Sequence, residues 1–233
     1  MKAIVYIDGF NLYHGRLRHS DYKWLDPVKL FETILAKQDP NIELVQVKFF
    51  TARVKARYSR HGQKAVVSQD HYHLALQHLH PERLQIYTGY FSDEPATLIK
   101  FKGRKSADID INHREEVWKI EEKQSDVRLS IEMYRDAMLR NCDLAILCSA
   151  DSDLVPPLEA IQNDTDVKTA VVLPRRFEAD PTKRRPPNRR LTEKMSHQWT
   201  REYINEDELA NSKLPVRIGR SGKKPIDCPE HWH

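Results

Sequence analysis

This sequence predicts an α/β fold on a doubly wound, mostly parallel sheet flanked by helices, and three observations carry that expectation. Two apolar, β-favouring runs, Ala3-Ile4-Val5-Tyr6-Ile7 and Leu144-Ala145-Ile146-Leu147-Cys148, lack polar alternation, as strands buried on both faces do. Helix-spaced segments alternate with strand-like ones, the pattern of βαβ units. Each apolar run delivers an aspartate, Asp8 and Asp151, to the carboxyl end of its strand, where open α/β sheets hold ligands.

The elements follow in order. The first strand covers residues 3–7. A helix begins at Asp26-Pro27, with Asp26 as its cap and Pro27 in the first turn, and Val28, Phe31, Ile34 and Leu35 keep helical spacing. Residues 43–51 read as a strand, 63–79 as a helix stopped before Pro81, and 84–90 as a strand. From 92 to 122 the pattern changes. Residues 98–102 and 109–112 alternate, which predicts a two-stranded ribbon off the main sheet. Helical spacing returns over 126–139 through Val127, Leu129, Ile131, Tyr134 and Met138. A strand over 143–148, a helix over about 153–162 and a strand over 167–173 complete the alternation. A short helix is expected at 191–199, and the last twenty residues read as weakly structured.

Composition narrows the class. In 233 residues, 39% are hydrophobic and 31% charged, and no apolar run approaches the roughly 18 residues of a membrane span. The chain enters a strand at once, leaving no room for a secretory segment. Cys142, Cys148 and Cys228 are few and odd in number, which suits reduced thiols and a cytoplasmic setting. The net charge of +4 is concentrated at residues 175–190, where seven Lys or Arg, Arg175 and Arg176 among them, face only Glu178 and Asp180. Four prolines at 174–187 make that stretch a basic loop suited to a polyanion. The expected organisation is a catalytic domain over 1–175, with the ribbon at 92–122, followed by an irregular, basic, Pro-rich extension over 176–233.

Each acidic position has an ordinary explanation by itself, since an aspartate after a strand is commonly a turn former or a helix cap. Together they say more. Asp8 and Asp151 end two strands, Asp153 opens a helix, Asn11 follows Asp8 by three, and Asp126 heads another helix. Carboxylates gathered at one sheet mouth repel unless a cation shares them, and hard oxygen donors favour Mg²⁺ or Mn²⁺, which in turn holds phosphate. The first expectation is a metal-dependent enzyme acting on a phosphodiester.

The motifs also resemble a known family. Tyr6-Ile7-Asp8-Gly9-Phe10-Asn11-Leu12 resembles the IDGxN signature of NYN domains, a PIN-like nuclease group that includes bacterial LabA-type proteins. Glu121-Glu122-Lys123-Gln124-Ser125-Asp126-Val127 is similar to its EKGxDV segment, and Ser149-Ala150-Asp151-Ser152-Asp153-Leu154-Val155-Pro156 to its SxDSDxxP segment. The likeness runs from Lys2 to about Leu173. Gln124 stands where glycine is common, and Ala150 where Gly or Asn is. The resemblance implies a PIN-like fold and a Mg²⁺- or Mn²⁺-dependent ribonuclease acting on RNA. Asp8, Asp126 and Asp151 would hold metal, Asp153 would be a further ligand or stand behind one, and Asn11 would orient Asp8 or touch substrate. PIN-like domains often pair, so a homodimer is expected.

Other candidates carry less. Arg53, Lys55 and Arg57 alternate after the second strand and could grip phosphates, with Lys123, Arg175 and Arg176, or simply face solvent. Asp108 and Asp110 alternate in the ribbon and read as a solvated face. Tyr13, Tyr22 and Trp24 could stack on bases, although packing is the plainer role. His71, His73, His78 and His80 lack an i, i+4 pair for zinc, and the ending Cys228-Pro229-Glu230-His231-Trp232 suggests adventitious metal binding at most. With seven glycines and no phosphate-cradling loop, a nucleotide cofactor has no sequence support. Two further classes stand beside the nuclease: a non-catalytic RNA-binding module, and a pyridine hydroxylase, the assignment carried by some members of the resembling bacterial subgroup. For the last, no flavin, nicotinamide or iron motif is present.

Overall fold

A computed structural model describes residues 1–101, 109–180, 182, 186, 189–193 and 195–232. Seven strands form one sheet: β1 (Lys2–Asp8), β2 (Glu43–Ala52), β3 (Leu84–Ile99), β4 (Arg114–Lys123), β5 (Leu144–Cys148), β6 (Lys168–Val172) and β7 (Trp199–Arg201). Their order is β4-β3-β2-β1-β5-β6-β7, and only the β3–β4 pair is antiparallel. The doubly wound, PIN-like expectation therefore holds. β1 is central, with β2 on one side and β5 on the other, so the chain reverses its winding direction beside β1. That topological switch opens a crevice at the strand carboxyl ends.

Alternate residues of β1 enter opposite cores, which is why its sequence is apolar throughout. Val5 and Ile7 pack with Phe31 and Ile34 of α2 (Pro27–Gln38) and with Tyr72 and Leu76 of α3 (Gln63–Leu79). Ile4 and Tyr6 face Leu129 and Met133 of α4 (Ser125–Met138) and Leu158 and Ile161 of α5 (Val155–Asp164). Asp26 caps α2 as expected, accepting from Val28 and Lys29 amides at 3.0 and 3.1 Å. The second core also holds an ion cluster that sequence reading did not find. Lys48 Nζ lies 2.9 Å from Glu132 and 2.6 Å from Asp136, and Tyr6 Oη donates to Asp136 at 2.8 Å.

Three expectations need correction. The ribbon exists, but its strands are the continuation of β3 to Ile99 and β4 at Arg114–Lys123, while Ile109, Ile111 and Asn112 lie in the connecting segment. Both ribbon faces are largely solvated, so apolar alternation carries no register there. Cross-strand partners such as Pro95 with Trp118 and Ala96 with Val117 set it instead. Asp110 is in the same connection, and Lys102 and Asp108 lie outside the described residues. Second, the helix expected at 191–199 is shorter, α6 (Arg189–Thr192), and Trp199–Arg201 becomes β7, which covers the edge of β6. Third, the C-terminal twenty residues form a hairpin, β8 (Arg217–Arg220) and β9 (Lys223–Asp227), following a capped helix α7 (Glu206–Ala210). Ile204, Leu209, Leu214, Ile218, Ile226 and Cys228 join the α2–α3 core. Among the described residues, no helix is long and apolar enough to cross a membrane. Part of the basic stretch at 175–190 lies outside them.

Candidate active site

The parallel pairing of β1 with β5 sets Ile7 opposite Cys148, so Asp8 and Ser149 leave the sheet side by side. Asp8 caps a short helix, α1 (Gly9–Leu12). Gly9 is required there, because a Cβ would come within 2.7 Å of the Phe50 carbonyl oxygen. Asp8 Oδ1 accepts from the Asn11 amide at 2.9 Å, and Oδ2 accepts from Asn11 Nδ2 at 2.6 Å and Ser149 Oγ at 2.9 Å. Asn11 Oδ1 in turn accepts from the Ala150 amide at 3.2 Å. Asp151 is held next door, with Oδ1 accepting from the Asp153 amide at 2.9 Å. Asn11 thus orients Asp8, one of its two expected roles. Ser149 is a second side-chain hydrogen-bond donor to Asp8.

Asp126 arrives from the other side, in the first turn of α4. β3 passes so close to the end of β4 that a Cβ on Gly89 would be 2.4 Å from the Lys123 carbonyl oxygen. The chain then reverses through Gln124 at φ +81°, a left-handed conformation ordinarily given to glycine. Ser125 Oγ donates to the Thr51 carbonyl at 3.1 Å and fixes the start of α4.

Asp126 is exposed at the protein surface, and these groups feel one another's charge. Burial first, then the charges of Asp8, Asp151 and Asp153, push the Asp126 carboxyl up to about 6. Burial chiefly, against a lowering hydrogen bond from Ser125 and with Asp126 and Asp8 adding, lifts Glu122 to about 7. Asp8 is raised by its burial, against the lowering hydrogen bonds from Asn11 and Ser149, with Asp151 also raising it. Neither Asp126 nor Glu122 is relieved by a lysine or arginine. Glu122 Oε1 is moreover buried without a hydrogen-bond partner. Sequence reading quoted Glu122 within a motif but assigned it no role, because the strand carries Glu121 and Glu122 in succession and only the fold shows which one turns inward. Hard, uncompensated oxygen donors with one orphaned oxygen suit a divalent cation in chemistry. Among the described residues, however, no three His, Cys, Asp or Glu side chains stand together as a formed ion cage.

The cations expected at nucleic acid are mostly engaged within the fold. Arg53 pairs with Asp70 at 3.1 Å, Lys55 with Asp93 at 2.6 Å, and Arg57 also with Asp93. Lys123 pairs with Glu121, Arg176 with Glu206 at 2.9 Å, and Arg175 donates to the Pro186 carbonyl. Trp24 is core, with Nε1 donating to the Pro215 carbonyl, Cys228 is buried, and the ring of Trp232 packs against Trp24. A cavity of about 570 Å³ adjoins α1 and is lined by Phe10, Tyr13 and Trp232 among others.

Comparison with known proteins places these features in context. Residues 2–187 match the family model described as NYN domain. A protein of Pseudomonas putida named 6-hydroxy-3-succinoylpyridine 3-monooxygenase HspA is 36% identical over 249 residues, an alignment covering 100% of this chain and 76% of that one. A crystal structure of a protein of unknown function from Vibrio parahaemolyticus is 16% identical with a TM-score of 0.48, covering 91% of this chain and 96% of that one.

Proposed function

The chain belongs to the NYN-domain family, and on that premise we propose that it is a divalent-metal-dependent nuclease hydrolysing RNA phosphodiester bonds. The observation that supports this reading is the Asn11 and Ser149 hydrogen-bond network that holds Asp8 at the joined ends of β1 and β5, beside Asp126, whose carboxyl is raised by burial and then by the charges of Asp8, Asp151 and Asp153 with no cation to relieve it. Asp8, Asp126 and Asp151 would hold Mg²⁺ or Mn²⁺, with Asp153 and Glu122 beside them. A bound ion would supply Lewis acidity and lower the pKa of a water near the scissile phosphate. The chain's own residues do the rest. Asn11 and Ser149 fix both oxygens of Asp8, so that little reorganisation is needed when the site is filled. Glu122, pushed up to about 7, is matched to take or return a proton near neutral pH. The test is cleavage of single-stranded and structured RNA with Mn²⁺, against EDTA and a folded Asp8→Asn variant. Undiminished cleavage by Asp8→Asn would remove the proposal.

A second reading is favoured by the identity shared along the whole chain with the Pseudomonas putida protein, whose name states monooxygenation of a pyridine ring. Such a reaction places one oxygen of O₂ on the ring and reduces the other to water with two electrons from a donor such as NADH. Pyridine-dependent NADH oxidation with stoichiometric hydroxylated product tests it, and its absence returns the weight to the nuclease.

A further inference from the structure

The cavity of about 570 Å³ beside α1 lies in the size range of small-molecule sites, roughly 300–1,000 Å³. Its charge is one-sided. Arg18, Lys23 and Arg60 line it, and among the described residues no aspartate or glutamate does. Nor does any of those three cations form an ion pair among the described residues, whereas Arg53, Lys55 and Arg57 nearby are each tied to a carboxylate. Three unneutralised cations around one concavity favour an anionic occupant.

The walls are aromatic. Phe10 and Tyr13 come from the α1 turns, and Trp232 comes from the last turn of the chain (Glu230–Trp232). Trp232 is seated against Tyr72 with ring centroids 5.7 Å apart, and the neighbouring His231 lies 4.8 Å from His61 of the segment after β2. The short turn that follows the C-terminal hairpin therefore carries one wall of the cavity. Flat rings of this kind stack on planar ligands. Burial lowers His73 to about 4, so at neutral pH its imidazole offers one donor and one acceptor rather than a charge. That is a suitable reader of ring heteroatoms.

We propose that this cavity binds a planar heteroaromatic ring carrying an acidic group, supplied either by a base with its phosphate in RNA or by a free pyridine acid. The ring stacks between the aromatic walls and the acid faces Arg18, Lys23 and Arg60. The proposal goes beyond the nuclease reading, because binding here requires neither the aspartates nor a metal.

Isothermal titration calorimetry of the full chain in EDTA tests it, with uridine 5′-monophosphate, 6-hydroxynicotinic acid and the uncharged 2-hydroxypyridine as probes. Saturable binding of at least one acid is expected, weaker by about tenfold or more for the uncharged ring and for an Arg18→Ala/Arg60→Ala variant with an unchanged melting curve. Tighter binding of the nucleotide assigns the ring to RNA, and tighter binding of the pyridine acid assigns a free aromatic acid. Absence of binding by either acid up to about 10 mM overturns the proposal, as does equal affinity in the double variant. Should that variant melt early, Lys23→Ala serves in its place. Heat measured in EDTA is independent of cleavage, so loss of nuclease activity and loss of this site are separate outcomes.

Discussion

Asn11 holds both carboxylate oxygens of Asp8, its backbone amide on Oδ1 at 2.9 Å and its side-chain amide on Oδ2 at 2.6 Å. Its own Oδ1 receives the Ala150 amide, so one side chain ties the end of β1 to the end of β5. Asn11→Ala is expected to lower metal-dependent cleavage by roughly 10- to 100-fold, the usual loss when a ligand's orienting partner is removed. Ser149→Ala, which frees one oxygen of Asp8, should do less. Steady-state cleavage at saturating Mn²⁺ checks both, and wild-type rates in Asn11→Ala would show that Asp8 needs no orientation.

The pH dependence follows from Asp126 at about 6 and Glu122 at about 7, both raised mainly by burial. Unfolded, they titrate near 4, so between about 4 and 7 the folded chain binds more protons than the unfolded one. Their stabilising contribution is complete below pH 4 and is lost as pH climbs through 6 and 7. In EDTA, therefore, the wild-type melting temperature should fall over that window more than that of Asp126→Asn, and Asp126→Asn should be the more stable above pH 7. Thermal melts at half-unit pH steps read this directly. Identical slopes would mean that the Asp126 carboxyl is not raised in the folded chain.

Two positions around the end of β4 should respond in opposite senses. Gln124 sits at φ +81°, where a side chain costs about 1 kcal/mol or more relative to glycine, so Gln124→Gly should stabilise the chain by about that amount. Gly89→Ala should destabilise it and weaken activity, because the new Cβ meets the Lys123 carbonyl at 2.4 Å and pushes Asp126 out of place. Urea titration of both variants is the measurement.

Lys48 is 4% exposed between Glu132 and Asp136. Lys48→Met leaves two carboxylates buried without their shared cation and should cost about 3–5 kcal/mol. A loss under about 1 kcal/mol in chemical denaturation would show that Arg135, Tyr87 and Tyr6 satisfy them unaided.

The sequence by itself determined the alternation of strands and helices, the burial of the apolar β1 run on both faces and the carboxylates at strand ends. Those signals are local: unbroken apolar runs, helical spacing and caps such as Asp26 reflect which faces must leave water. The tertiary structure alone decided how the acidic side chains are set. The close pass of β3 against the end of β4 and the left-handed Gln124 place Asp126 at the head of α4, within reach of the charge of Asp8, and Glu122 rather than Glu121 buries an unpartnered oxygen. It also decided that Trp199–Arg201 extends the sheet and that the last residues wall a cavity. Strand register on a solvated ribbon, edge pairing and side-chain convergence depend on partners distant in the chain, and no local pattern encodes them.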